Sequence, residues 1–175
     1  MTNSSRPDTH QAPFRPMRRI GQQLSEKETL NILESATSGV LCLLGDEGYP
    51  YGVPISHVYH DRHLYFHTAL RGHKVDAIRK YSKASFTVIT KDDIHPAEFT
   101  TYFTSVICFG RVRIIDDPDE KMAATRLLGH RFFKDDEEGL DKEIKKSHQA
   151  MHMIDFTIEH ITGKEAIELT RMRKR

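Results

Sequence analysis

The part of the sequence best suited to chemistry is YFHTALRGHKVDAIRK, residues 65–80, in which basic side chains surround a glycine. Gly72 permits a close backbone approach, and a helical pattern begins just after it. The first amide groups of a helix are unpaired donors at the positive end of the helix dipole. With the side chains of Arg71, His73 and Lys74, these amides predict a site for a phosphate monoester. Composition alone leaves a solvated basic turn as the alternative.

The histidines of HVYHDRH, which begins at His57, and the later His67 raise the separate possibility of a metal site. If Asp61 and Arg62 form a two-residue hairpin turn, His57 opposes Phe66 and lies on the opposite face from His67. A three-residue loop would change this pairing. We therefore assign no metal ligands.

Other catalytic signatures are missing from the sequence. Ser56 and Ser105 fall in predicted strands without a Gly-x-Ser-x-Gly turn, and there is no Gly-x-Gly-x-x-Gly dinucleotide motif. Cys42 and Cys108 lie in apolar runs without metal-type spacing and are predicted to be buried, free core thiols of a reducing compartment. The catalytic residues stay unassigned.

The overall charge excludes broad electrostatic attraction as a basis for function. The 26 Lys and Arg residues nearly balance the 25 Asp and Glu residues, giving a net charge of +1. Such a chain favours neither nucleic acid nor an acidic membrane surface, so an anion site must be local. No apolar run has the length of a membrane span, and no signal-peptide layout is present. We expect a cytoplasmic protein.

The elements that must position these residues are mainly strands. Ser25 and Glu28 form a capping-box pattern that predicts a helix to about Ala36. Alternation and turn residues predict strands at 39–44, 51–59, 64–68, 84–90 and 99–115, and a strand, a glycine-containing turn and a strand over 153–169. Helices are predicted near 74–81, 120–133 and 140–151. We expect a flexible tail at 1–16 and a single domain at 17–175, mainly β with helical additions.

Residues 39–89 resemble the pyridoxamine 5'-phosphate oxidase-like split-barrel flavoproteins, and among them the nitroimidazole-resistance branch. The shared order is strand, turn, proline-containing strand, YFH strand, Gly-x-Lys loop and helix. MRR at 17–19 and YFTSVICFGRV at 102–112 extend the similarity. The resemblance implies a six-stranded antiparallel split β-barrel that forms a homodimer and binds FMN at the subunit interface.

The resemblance also implies roles for individual residues. Val53, Pro54, Ile55 and Ser56 would lie along the flavin ring, His67, Thr68 and Ala69 along the ribityl chain, and Gly72, His73 and Lys74 around the phosphate. Ser105, with Tyr102 or Thr104, would complete the cleft from the second subunit. The basic and aromatic C-terminal pattern of the pyridoxamine oxidases is not found in residues 162–175, so we do not expect pyridoxamine oxidation.

The expected function is therefore an FMN-dependent oxidoreductase that passes electrons from NAD(P)H to a small acceptor such as a nitroaromatic. One alternative is a non-catalytic split barrel that holds flavin, or haem through His67 or His73. Another is a structural dimer whose cleft has lost its ligand. FMN would make Lys74 indispensable for binding, whereas haem would make one histidine indispensable.

Overall fold

The computed structural model of the protein describes residues 14–174. The helices are α1 Glu26–Ser35, α2 His73–Lys80, α3 Pro118–Phe132, α4 Glu137–Ser147 and α5 Ile167–Arg173. The strands are β1 Ser38–Leu44, β2 Pro50–Ser56, β3 Val58–His60, β4 His63–Ala69, β5 Lys83–His95, β6 Thr100–Ile114 and β7 Met151–Glu165. They form one antiparallel sheet in the order β2-β1-β5-β6-β7-β4-β3. The mainly β fold class is confirmed.

The two outer strands of this order are neighbours in the chain. Only His57 separates β2 from β3 in the chain, although five other strands lie between them in the sheet order. The sheet must therefore curl until its two ends meet, which makes it a barrel. The predicted continuous strand at 51–59 is wrong in one respect, because it breaks at His57 into β2 and β3. Counted as one strand, the two pieces give the six strands that were predicted.

The main core fills the interior of the barrel. Among its largest members, Leu41, Phe66, Phe86, Val106 and Phe156 are each fully buried. Burying side chains of this size stabilises the fold by roughly 1.5–3 kcal/mol each. Helices α1 and α2 add apolar residues to the same cluster. These contacts fix α2 against the barrel, and with it the start of the helix that carries the basic loop.

A second, smaller core lies between the outer face of the sheet and α3. Met153 on β7 and Ile115 after β6 are buried against Ala124 and Leu128 of the helix. Helix α3 therefore covers the outer side of β7, β4 and β3. The outer face of β1, β5 and β6 has no such helical cover in the part of the chain that the structure describes.

Several local predictions are confirmed. The Ser25 hydroxyl accepts from the Glu28 amide at 3.3 Å, and the Glu28 carboxylate accepts from the Ser25 amide at 2.8 Å, as a capping box requires. The β3–β4 turn has two residues, Asp61 and Arg62, both with positive φ. A register shift between β6 and β7 falls at Gly110, where a bulge was predicted.

The strand–turn–strand prediction for 153–169 is wrong. Strand β7 runs without a turn to Glu165, and α5 follows it. Gly163 lies inside the strand, where a Cβ atom would overlap the Thr29 hydroxyl of α1. The glycine is needed for close helix–strand packing rather than for a turn.

Most of the predicted N-terminal tail, residues 1–13, lies outside the described residues. Phe14, the first described residue, stacks on His160 with ring centroids 4.5 Å apart. No helix within residues 14–174 is both long enough and apolar enough to cross a membrane.

We expect Gly110→Ala to lower the free energy of unfolding by about 1–3 kcal/mol, because its Cβ would overlap the carbonyl oxygen of Thr157 across the strands. Gly21→Ala is the matched control, since nothing lies within 4 Å of its added Cβ. Urea denaturation of both variants measures the difference. Equal stability of the two would contradict the close packing of β6 on β7.

Candidate functional site

A split in the barrel follows from the strand pairing. Strand β2 pairs with β1, and no strand of residues 14–174 pairs with its other edge. Strand β3 pairs with β4, but only as far as Tyr65. Beyond that residue, one edge of β4 at 66–69 is likewise free of a strand partner, while its other edge pairs with β7. The free edges of β2 and of residues 66–69 diverge from His57, and we call the space between them the split.

The two edges of the split carry two groups of residues to which the family resemblance gave roles toward a flavin. Val53–Ser56 lie on the free-edged part of β2, and His67–Ala69 lie on the free-edged part of β4. Backbone amides and carbonyls along a free strand edge are available to a ligand. On β4, Thr68 points into the barrel and is buried, whereas His67 and Ala69 are exposed on the outer side.

The start of α2 lies where the split opens. Strand β4 ends at Ala69, and residues 70–72 lead into the helix. Gly72, the N-cap residue, has a φ of 131° and a ψ of 168°, a conformation that favours glycine. A Cβ placed on it would meet nothing within 4 Å, so the space in front of the helix is open. The first amides of α2 therefore point toward accessible space and suit an anion.

Lys74 is the cation of this helix start. Its side chain is partly buried, and no carboxylate of residues 14–174 lies within ion-pair distance of its Nζ atom. Burial lowers the pKa of Lys74, because removal from water disfavours the charged ammonium. In contrast, Lys80 at the other end of the helix pairs with Asp46 at 3.1 Å. A partly desolvated cation beside free helix amides is the arrangement expected of an anion site.

The ring of His73 is directed elsewhere. It stacks on Tyr51 with centroids 4.1 Å apart, and the Asp46 amide donates to its Nε2 at 3.4 Å. At the helix start, His73 therefore contributes its backbone amide, while its side chain fastens α2 to the β1–β2 turn. The sequence alone gave no reason to separate these two roles.

Tyr102 and Ser105, the two β6 residues predicted to complete the cofactor cleft, point to opposite faces of the strand. Tyr102 donates its hydroxyl to Glu98 at 2.8 Å and stacks on His95 with centroids 3.7 Å apart. Ser105 lies on the outer face of the strand, the same face as Ile107. The structure thus groups Ser105 with the outer face of the sheet that no helix of residues 14–174 covers, and Tyr102 with the end of the β5–β6 hairpin.

His57, at the apex of the split, has an environment that the sequence did not reveal. Its ring is fully buried, and Nε2 donates to the Leu33 carbonyl at 3.0 Å. Burial lowers the pKa of His57, which keeps the imidazole neutral. Nδ1 has no hydrogen-bond partner within residues 14–174. The two-residue turn places His57 and His67 on opposite faces, as predicted, and no group of three metal-binding side chains occurs in the described part of the chain.

Both cysteines are free thiols, as predicted. Cys108 is fully buried in the core, and burial raises the pKa of its thiol to about 12. The predicted burial is wrong for Cys42, which is only partly buried. At neutral pH Cys108 stays protonated, which makes it unsuitable as a nucleophile.

The sequence matches one protein-family model over most of its length. Residues 25–165 match the family described as pyridoxamine 5'-phosphate oxidase. This range contains the whole split, the start of α2 and the face of β6 that carries Ser105. No functionally curated protein matches the sequence significantly.

Solved structures share the fold at low sequence identity. A candidate 5-nitroimidazole antibiotic resistance protein from Bacteroides thetaiotaomicron is 20% identical with a TM-score of 0.70, over 82% of this chain and 86% of that protein. An FAD-binding protein from Mesorhizobium loti is 24% identical with a TM-score of 0.57, over 83% and 97%. An FAD- and haem-binding protein from Mycobacterium smegmatis is 18% identical with a TM-score of 0.68, over 83% and 73%.

We expect Lys74→Met to raise the free energy of unfolding of the ligand-free protein by about 0.3–1 kcal/mol, because it removes an unpaired cation from the positive end of α2. Lys80→Met is the matched control on the same helix. It should lower stability by a similar amount, about 0.3–1 kcal/mol, since it removes a cation from the negative end and from its contact with Asp46. Urea denaturation measures both.

The stability difference between the wild type and Lys74→Met should depend on pH in one direction. The folded-state pKa of Lys74 is lowered, so the wild-type protein gains stability as the pH rises toward the unfolded value. The advantage of Lys74→Met should therefore shrink as the pH rises toward the unfolded lysine pKa of about 10.4. A constant difference, or a destabilised Lys74→Met variant, would contradict a desolvated and unpaired lysine.

Proposed function

The chain belongs to the pyridoxamine 5'-phosphate oxidase family, and from this premise we propose that it is an oxidoreductase that binds FMN along the split. The reaction proposed is transfer of electrons from NAD(P)H to a small acceptor such as a nitroaromatic. Two solved structures with the same fold are of flavin-binding proteins, which supports a flavin as the ligand. Free thiols support a reducing compartment, and we propose the cytoplasm.

The observation that carries the proposal is the partly buried ammonium of Lys74 at the start of α2, which has no carboxylate partner within residues 14–174. A phosphate monoester is a dianion near neutral pH and would offset the cost of holding this cation away from water. The open N-cap at Gly72 lets phosphate oxygens reach the first helix amides. A single lysine with one set of amides suits the one terminal phosphate of FMN.

The residues of the split would hold the rest of the cofactor. Val53–Ser56 provide backbone donors and acceptors for the heteroatoms of a flat ring, and His67–Ala69 border the chain that connects ring and phosphate. When bound, FMN supplies the hydride and electron chemistry. The protein positions the ring and limits its contact with water, so an acid or base side chain is not required.

The same proposal includes a second copy of the chain. The outer face of β1, β5 and β6 exposes apolar side chains in adjacent register positions, among them Val40, Ile89, Ile107 and Phe109. Exposed apolar patches of this kind mark interaction surfaces. Ser105 lies on this face, and the proposal is that it completes the cofactor site of the partner. We propose a homodimer that uses this face.

Haem is the second candidate, because His67 lies at an apolar pocket and one solved structure is of an FAD- and haem-binding protein. Apolar walls with a histidine are what a haem site requires. The pocket, however, encloses about 140 Å³. Even drug-sized ligands need roughly 300–1,000 Å³, and a porphyrin is a large ligand. Flavin therefore has the stronger support.

We expect Lys74→Ala to raise the dissociation constant of FMN at least about tenfold, because it removes a charge-assisted contact to the phosphate worth roughly 1.5–3 kcal/mol. Quenching of flavin fluorescence during titration measures the constant. Lys80→Ala is the control on the same helix and should bind FMN like the wild type, since its side chain pairs with Asp46 instead. Unchanged FMN binding by a folded Lys74→Ala protein would contradict the proposed site.

The oxidoreductase part of the proposal has its own readout. Under anaerobic conditions, NADH or NADPH should bleach the absorbance of the wild-type FMN complex, and a nitroaromatic should restore it. A complex that binds FMN but is not reduced by either nicotinamide would be the non-catalytic flavin carrier.

We expect Ile107→Glu to convert the dimer to a monomer, because it places a charge at the centre of the apolar outer face. Sedimentation velocity measures the change, and FMN affinity should fall with it. Ile20→Glu is the control, since Ile20 is also exposed but lies in a short turn before α1. If the Ile107→Glu protein sediments as a dimer like the wild type, this face is not the dimer interface.

A further inference from the structure

The two ends of the described chain meet at one end of the barrel. Helix α5, which follows β7, packs against the short turn at residues 20–22 that precedes α1. The Gln22 side chain donates to the Glu165 carbonyl at 3.0 Å, and the Leu24 amide donates to the Gly163 carbonyl at 3.0 Å. These two bonds hold the N-terminal segment beside the end of β7, where α5 begins.

The two chain ends carry a concentration of positive charge. Residues 14–22 contain three arginines and no carboxylate, and residues 171–174 contain three further cations. Arg173 is occupied, since it pairs with Glu28 at 2.8 Å and with Glu165 at 2.7 Å. The other five cations are exposed and have no carboxylate within ion-pair distance in residues 14–174, and we call them the basic patch: Arg15, Arg18, Arg19, Arg171 and Lys174.

The net charge of the chain conceals the basic patch. A net charge of +1 excludes broad attraction to an anionic surface. Exposed charges separated by more than about 10 Å act almost independently at about 0.1 M salt, however, because ions screen them. Glu168 is the sole carboxylate of α5, and it lies in the first turn of that helix rather than the last. The carboxylates on the rest of the barrel therefore do not cancel the patch.

Two large apolar side chains are exposed in the same two segments. Ile20 is 66% exposed, and Met172 is 57% exposed. Cations beside exposed aliphatic side chains suit an anionic bilayer, since the cations pair with lipid headgroups while the apolar groups enter the boundary of the acyl chains. Nucleic acid fits less well, because aliphatic side chains offer no stacking platform for bases. Phe14, the aromatic residue of the N-terminal segment, already stacks on His160.

We propose that the basic patch, together with Ile20 and Met172, docks the protein on the surface of a membrane that contains anionic phospholipid. The contact is peripheral: the cations pair with lipid phosphates, and the two apolar side chains enter the headgroup region. This interaction goes beyond the proposed flavin chemistry and does not require it, because none of these residues belongs to the split or to the start of α2.

The test is co-sedimentation of the full-length protein with vesicles made of equal parts of phosphatidylglycerol and phosphatidylcholine. We expect the protein to bind these vesicles at about 0.1 M salt and to be released near about 1 M salt, where the charges are screened. Vesicles of phosphatidylcholine alone should not bind it. Equal binding to both kinds of vesicle, or no binding to the anionic vesicles, overturns the proposal.

Charge variants locate the contact. One double variant combines Arg18→Gln with Arg19→Gln, and a second combines Arg171→Gln with Lys174→Gln. Each should weaken binding to the anionic vesicles at least about tenfold, since one basic residue near such a surface contributes about fivefold. Wild-type binding by both double variants overturns the proposal.

The matched charge control combines Lys134→Gln with Lys145→Gln. Both lysines are exposed, and they lie beside and in α4, which leads into the start of β7, whereas α5 follows the end of that strand. This control should bind the anionic vesicles like the wild type. If it loses as much binding as the patch variants, the attraction is not local and the proposal is wrong.

The apolar contribution and the class of partner have separate readouts. Combining Ile20→Ser with Met172→Ser should weaken vesicle binding at least about fivefold, whereas Tyr49→Ser should have no effect, because Tyr49 is 74% exposed in the β1–β2 turn. Single-stranded polyuridylate should not displace the protein from the vesicles at equal phosphate concentration. Displacement would identify nucleic acid as the partner and overturn the lipid assignment. No outcome of these experiments bears on FMN binding, which is measured separately.

Discussion

A single residue, His57, determines the shape on which the candidate site depends. It joins β2 to β3, which occupy opposite ends of the sheet order, so the sheet must curl into a barrel. It also marks the point where the two halves of this strand take different partners, β1 before it and β4 after it. One covalent connection thus produces both the closed core and the split. The buried ring of His57 donates a hydrogen bond to the Leu33 carbonyl and packs near Phe66 and Phe86, which fixes that point in the core.

Around this connection, stability and function are separated in space. The barrel interior and the layer under α3 contain the apolar contacts that hold the fold. Other features lack a partner within the described residues, namely the free strand edges, Lys74, and the outer face of β1, β5 and β6 that no helix covers. Each has an energetic cost in the isolated chain, and each is of the kind that a ligand or a second copy would relieve.

Much of the fold and part of the site could be predicted from the sequence, because they depend on local patterns. The capping box at Ser25, the two-residue turn at Asp61 and the glycine before α2 are local signals, and the structure contains all three. The break at His57 could not be predicted, since the residues on both sides have strand character and only long-range pairing ends β2. The run of β7 through Gly163 was missed for a similar reason. Gly163 is required by close packing against helix α1, which is distant in sequence. The direction of the His73 ring and the meeting of the two ends of the described chain also arise from tertiary contacts alone.

The visible absorption spectrum of the freshly purified protein, with identification of the chromophore that a mild denaturant releases, tests the central claim most directly. We expect a flavin spectrum and the release of FMN, because a single terminal phosphate would pair with the partly buried Lys74 ammonium at the start of α2. A sharp Soret band would assign the chromophore to haem and to a histidine. A colourless protein that also fails to bind added FMN would contradict the account, leaving a split barrel whose free edges and unpaired lysine serve another ligand.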